Sequence, residues 1–266
     1  MELTVLGKSP AIPDAGGAQS GYLLSEHGYG LLLDCGGGVF AKLRALRDPA
    51  QVDAVLISHL HADHVLDLLP FGFALAQGLA GLRGRRPPLW VPPGGAAVLD
   101  RFTQTLGMGR QITAAFAVTE YDPALPLRLG PLTVSFCEVP HYVRTWACDL
   151  RSAEGTRLTF GADCGPSDAI AEFARATDLL MLEATEGPGP HRGAGFRGHL
   201  TAAEAGELAR LACARRLLLT HYSDTAARQQ LQAAAEAGFG GPVELAAEGC
   251  SYVVSGRRER SAISSA

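Results

Sequence analysis

At 266 residues and 47% hydrophobic composition the chain can bury a substantial core, and 32 glycines with 16 prolines argue against a bundle of long helices. A formal net charge of -4 argues against a surface built to neutralise a long phosphate backbone, since non-specific nucleic-acid affinity rests on Lys and Arg. Six cysteines without a CxxC pair, in a chain too large to need stapling, argue against a disulfide framework and read as small buried hydrophobes.

The chain opens on an apolar run at 3–6, with neither a basic leader nor a stretch of transmembrane length, so a cytoplasmic protein with no membrane partner is expected. Further short apolar runs, bounded by Gly, Pro and Asp, follow at 22–24, 31–33, 54–57, 132–136, 158–160, 179–182 and 217–219. They read as buried strands. Helical spacing of Ala, Leu and charged residues marks 39–46, 95–106, 167–175 and 201–213. Segments 81–88 and 187–198 read as extended loops. Strands and helices alternate throughout, which predicts a mixed α/β fold in one domain over 1–256, with 257–266 as a flexible tail. Leu33-Asp34-Cys35-Gly36 and Ala162-Asp163-Cys164-Gly165 each follow a strand-like run, a short echo that suits two similar halves.

The chemistry concentrates after the run at 54–57, where His59, His61, Asp63 and His64 stand together on one loop. Imidazole and carboxylate suit zinc, manganese or iron, and four such groups in six residues would be costly to leave unpaired. Four ligands are too few for two metals with open positions, so later residues at strand ends become candidates: His141, Asp163 and His221. Taken singly, each could be a satisfied structural residue or a turn cap.

His59-Leu60-His61-Ala62-Asp63-His64, followed in order by His141, Asp163 and His221, resembles the metallo-β-lactamase superfamily. The resemblance implies a four-layer αβ/βα sandwich, two mixed sheets flanked by helices, and a dinuclear centre. The first metal would take His59, His61 and His141; the second would take Asp63, His64 and His221; Asp163 would bridge them. Asp34 resembles the early aspartate that orients a ligand from behind. A homodimer is expected on the same ground.

The nearer likeness is to ribonuclease Z and related phosphodiesterases, carried by 16–24, by Leu182-Glu183-Ala184-Thr185 and by Gly198-His199-Leu200-Thr201. It implies that Glu183 supports His199, which donates a proton to the leaving oxygen, while Asp63 orients a metal-activated water. Leu200 departs from the Ser common in that family. Only 21 residues separate His141 from Asp163, which leaves no room for the arm that grips transfer RNA. A small phosphodiester, cyclic nucleotide, nucleotide derivative or short RNA is expected instead. Arg192 or Arg197 could reach a substrate phosphate from the preceding loop, with solvated loop residues the competing reading. His191 carries no assigned role, and neither does Cys164 beside Asp163. Hydrolysis of a lactone, thioester or amide on the same scaffold is the alternative chemistry, and a non-catalytic metal-binding module the alternative of another class.

Overall fold

The computed structural model describes residues 1–79, 82, 84–190 and 195–256. Its first half runs β1 (Glu2–Gly7), β2 (Gly21–Glu26), β3 (Tyr29–Leu33), α1 (Val39–Leu46), β4 (Ala54–Leu56), α2 (Ala62–Val65), α3 (Leu68–Gln77), β5 (Pro88–Val91), α4 (Gly95–Thr105), α5 (Gln111–Ala115) and β6 (Ala117–Glu120). The second half runs β7 (Leu127–Leu129), β8 (Leu132–Val139), β9 (Thr145–Arg151), β10 (Arg157–Phe160), α6 (Asp168–Phe173), β11 (Leu179–Glu183), α7 (Ala202–Leu211), β12 (Leu217–Thr220), α8 (Arg228–Phe239), β13 (Glu244–Leu245) and β14 (Ser251–Val253).

The strands form two seven-stranded mixed sheets, ordered β14-β1-β2-β3-β4-β5-β6 and β13-β12-β11-β10-β9-β8-β7. In the first, β1, β2 and β3 pair antiparallel and β3 to β6 parallel. In the second, β7 to β10 pair antiparallel and β10 to β13 parallel.

Strands covered on both faces need apolar residues at every position, which is why the sequence shows continuous runs rather than alternation. Tyr22 and Leu24, Leu31 and Leu33, and Leu218 point into the cluster shared by the two sheets. Their neighbours Leu23 and Leu32 point outward onto a cluster with Leu43, Phe71 and Phe116. Leu217 and Leu219 do the same in the second sheet, against Leu208 and Leu231. Helices therefore cover the outer face of each sheet, and the four-layer sandwich is confirmed.

Three expectations are corrected. Cys137 is half-buried and Cys213 and Cys250 are exposed, so burial holds only for Cys35, Cys148 and Cys164, although all six thiols are free. The helical stretches at 167–175 and 201–213 shorten to α6 and α7, because Ser167 and Thr201 are N-caps outside the helices. The strand at 132–136 extends to Val139, which carries its end towards His141. Among the described residues no helix is long and apolar enough to cross a membrane.

Candidate metal centre

The parallel strands β3, β4, β10, β11 and β12 deliver their C-terminal ends to one edge of the sandwich, where loops from both sheets meet. Asp34 follows β3 in a left-handed conformation, φ 57, and is fully buried. Its carboxylate accepts from Ser58 N, Ser58 Oγ and His64 Nδ1, each at 2.8 Å. Beyond β4 the chain passes Ile57 and Ser58 to His59, then turns at His61, which caps the one-turn helix α2 bearing Asp63 and His64. From the other sheet come His141 after β8, Asp163 after β10 and His221 after β12, the last also left-handed at φ 51.

Hydrogen bonds behind the imidazoles fix where their protons lie. His141 Nδ1 donates to the Gly198 carbonyl at 2.7 Å. Since a carbonyl only accepts, Nδ1 carries the proton and Nε2 is a lone pair. His64 Nδ1 is held the same way by Asp34. His221 Nδ1 donates to Thr185 Oγ1 at 2.8 Å, and that hydroxyl donates onward to the His221 carbonyl at 3.0 Å. His59 Nδ1 donates to Ser58 Oγ at 3.0 Å, whose own proton goes to Asp34.

Four Nε2 atoms thus converge on Asp163 Oδ2, at 3.4 Å for His64, 3.6 Å for His221 and 3.8 Å for both His59 and His141. The Nε2 atoms of His59 and His64 are buried without a hydrogen-bond partner. Inward-facing lone pairs around a carboxylate are mutually repulsive in a poorly solvated site unless a cation lies among them. The donor set fits divalent metal ions.

Among the described residues, two groups of four ligand atoms can hold such ions, each within 4.8 Å: His59, His61, His141 and Asp163, and then Asp63, His64, Asp163 and His221. Asp163 belongs to both. His61 Nδ1 lies 2.9 Å from His141 Nε2, and Asp63 Oδ2 lies 3.2 Å from His221 Nε2.

Burial and neighbouring charge shift these groups in opposite directions. Burial, together with the neighbouring imidazoles, holds His59 well below the usual histidine range, and burial also lowers His61. Burial pushes His141 down to about 4 despite the opposing charge of Asp163. For Asp163 burial alone would raise the pKa, but His221 and His64 hold the carboxyl well below the ordinary range. Burial works against a proton on His64 as well, yet the carboxylates of Asp163 and Asp34 draw positive charge there strongly enough to raise its pKa well above normal.

Residues 29–222 match the family described as the β-lactamase superfamily domain. The chain belongs to the β-lactamase superfamily. It is 32% identical over 256 residues to the "Probable metallo-hydrolase YhfI" of Bacillus subtilis (strain 168), covering 94% of this chain and 98% of that one. The crystal structure of the Bacillus subtilis protein superposes with a TM-score of 0.82 at 30% identity, over 94% of this chain and 98% of its own. Ribonuclease Z of Myxococcus xanthus (strain DK1622) is 29% identical over 301 aligned positions, 94% of this chain and 96% of the relative. Human tRNase Z, short form, shares the fold at a TM-score of 0.74 and 22% identity, covering 96% and 100%. With these relatives and this donor set, the superfamily member is a metal-dependent hydrolase.

Next to the metal groups Glu183, 1% exposed at the end of β11, accepts from Cys164 N and from His199 Nδ1, both at 2.8 Å. Burial would lower the His199 pKa, but the hydrogen bond and charge of Glu183, helped by Asp163 and Glu186, raise it to about 8. Its ring lies 4.9 Å from that of His141 and 6.0 Å from that of His221. A cavity of 680 Å³ opens here, lined by His61, Asp63, Asp163, His199 and His221 together with Pro10, Ala11 and Ile12.

The remaining expectations divide. Arg197 is paired with Glu204 at the start of α7, which removes it as a ready phosphate ligand. Arg192 and His191 lie outside the described residues. Cys164 packs in the core beneath α7, and only its backbone N–H serves the site. Leu200, where ribonuclease Z commonly has Ser, is fully buried in the same core. Residues 142–162 hold only β9, β10 and their turns, so no arm protrudes between His141 and Asp163. The orienting roles of Ser58, Thr185 and the Gly198 carbonyl were not read from the sequence. Ser58 and Gly198 adjoin candidate residues and Thr185 follows Glu183 by two, so adjacency was the available signal.

Proposed function

We propose that the chain is a dinuclear phosphodiesterase acting on a small phosphodiester. The observation that carries this reading is the Glu183–His199 pair, a hydrogen-bonded imidazole biased towards its protonated form beside two metal-ligand groups. Phosphodiester cleavage expels a poor alkoxide leaving group, which needs such a donor more than the opening of an activated acyl bond does. Relatives that carry the name ribonuclease Z support the same chemistry.

His59, His61 and His141 would hold one metal, Asp63, His64 and His221 the other, and Asp163 both. Zinc suits these donors best, with manganese or iron as alternatives. Divalent ions bound there supply Lewis acidity, lowering the pKa of water and offsetting phosphoryl charge. Asp63, its carboxyl held below the usual range mainly by His221 and His64 against the effect of burial, accepts a hydrogen bond from the attacking water and aims it. His199 keeps Nδ1 on Glu183 and so presents its Nε2–H to the leaving oxygen. The short 142–162 segment and the acidic balance favour a cyclic nucleotide, nucleotide derivative or short RNA over transfer RNA.

Turnover of bis(p-nitrophenyl) phosphate, a lactone and a thioester, each with zinc and with manganese, tests the assignment. Diester hydrolysis is expected, and in His199→Ala it should drop far more for a diester with an unactivated alkoxide leaving group than for the p-nitrophenyl ester, whose leaving group departs without a proton. Acyl hydrolysis without diester turnover would replace it with the acyl-hydrolase reading.

A further inference from the structure

The cavity has a wall that the chemistry above does not use. Ile12 lines it and is 82% exposed, preceded by Pro10 and Ala11, which line it too. A single exposed isoleucine is ordinary on a protein surface. This one sits on a segment fastened at several points, where a mobile loop would cost less to leave uncovered. Lys8 is 4% exposed, and its ammonium donates to Asp14, to the Tyr222 carbonyl at 3.0 Å and to Asp224 at 2.8 Å, while lying 4.2 Å over the Tyr222 ring. Asp14 in turn accepts from Ser9 Oγ at 3.1 Å and from Asp224 N at 2.9 Å. Gln19 Nε2 donates to the Ala11 carbonyl at 2.9 Å. Residues 8–14 are thereby tied to the loop that begins at His221, and the apolar wall is held in fixed relation to the second metal group.

We propose that Pro10, Ala11 and Ile12, fixed by the Lys8–Asp14 latch, form the subsite for a nucleoside retained on the phosphorus, with Ile12 the specificity-determining residue. The proposal rests on the phosphodiesterase reading. Three observations select this occupant. The wall shares its cavity with His61, Asp63 and Asp163, so a substituent on the reacting phosphate lies within reach of it. An apolar face beside Ser223 and Thr225, whose hydroxyls bond each other at 2.8 Å and keep acceptor capacity, suits a flat heterocycle with a polar edge better than an alkyl chain. The leaving oxygen belongs to His199, whose ring neighbours are Tyr142, His141 and His221, whereas the wall is fastened to the chain beyond His221. A volume of 680 Å³ accommodates one nucleotide.

Two substrates with the same leaving group isolate this subsite: thymidine 5′-(p-nitrophenyl phosphate) and methyl p-nitrophenyl phosphate. With the metal-loaded protein, Ile12→Ser should raise KM for the thymidine ester about five- to tenfold, as loss of one aliphatic contact implies. KM for the methyl ester, kcat for both and metal content should stay within about twofold of the parent, a margin worth about 0.4 kcal/mol. Exposure of Ile12 makes unfolding of this variant an unimportant risk, and its melting curve checks that. Equal responses of the two esters would overturn the subsite while leaving the phosphodiesterase reading intact. Failure of the parent protein to turn over either ester would overturn that reading and the subsite with it.

Discussion

Asp34 and Asp163 occupy corresponding places at strand ends in the two sheets, yet the chain delivers them differently. Asp34 itself takes the left-handed backbone at φ 57, whereas before Asp163 it is Ala162 that does so at φ 53. The glycine that follows allows a close approach in each case: a Cβ on Gly36 would lie 1.9 Å from the Asp63 carbonyl oxygen, and one on Gly165 would lie 2.1 Å from that of Arg197. Each glycine therefore presses its loop against the segment that carries the next functional side chain, α2 in one half and the approach to His199 in the other. The sharpest single-residue test concerns Glu183. Its carboxylate raises the pKa of His199 to about 8 against the effect of burial, so the protonated donor is present below that value and lost as pH rises through it. Activity limited by that donor should fall on the alkaline side. In Glu183→Gln the raising influence is removed while burial remains, and the alkaline limb of kcat/KM should move to lower pH, with a loss of about 10- to 100-fold near pH 8. A pH–rate profile decides it; a limb at unchanged pH would show that another group titrates there.

At the level of elements, α7 was legible and α3 was not, for physical reasons. Thr201 and Glu204 form a reciprocal capping box, Glu204 N donating to Thr201 Oγ1 at 3.2 Å and Thr201 N to Glu204 Oε2 at 3.0 Å, and that pattern can be read directly from residue spacing. In α3, Pro70 and Gly72 look like breakers. Pro70 falls in the first turn, where a backbone N–H has no intrahelical partner to lose, and Gly72 is buried against Ala115 and Phe116. Strand β9 escaped notice because Asp149 breaks its apolar run after Cys148, although six of its seven residues are buried. The candidate metal ligands were the easiest part of the site to read, since a dense His/Asp cluster has few other uses. Their hydrogen-bonded supports were not, because Ser, Thr and a backbone carbonyl have many. The capping box also positions His199, two residues ahead of the cap. Thr201→Ala should cost about 1 kcal/mol of stability in urea unfolding. It should lower kcat more than it alters metal content, since the metal groups draw no ligand from α7. An equal fall in both would place the defect in the whole edge of the sandwich instead.

Across the whole molecule, the site is divided between the sheets. His59, His61, Asp63 and His64 come from loops of the first, and His141, Asp163 and His221 from loops of the second. The inter-sheet core joins the halves through apolar contact, and polar links reinforce it at the edge, among them Tyr22 Oη to Thr220 Oγ1 at 2.6 Å, Trp146 N to the Ser58 carbonyl at 3.3 Å and Lys8 Nζ to the Tyr222 carbonyl at 3.0 Å. Ions bound by ligands from both sheets would fasten that edge, and every ligand set freed by their removal leaves inward-facing lone pairs around Asp163. Because metal binds the folded arrangement, its contribution to stability grows with free metal concentration, reaching about 2.7 kcal/mol at a hundredfold excess over the dissociation constant. Removal by a chelator should therefore lower the melting temperature by several degrees, and graded addition of zinc or manganese should restore it. His141→Ala and His221→Ala, which each delete one ligand from the second sheet, should shrink that metal-dependent shift. A melting temperature indifferent to chelator and metal would mean that the seven side chains hold the edge together without ions, and the dinuclear assignment would fall.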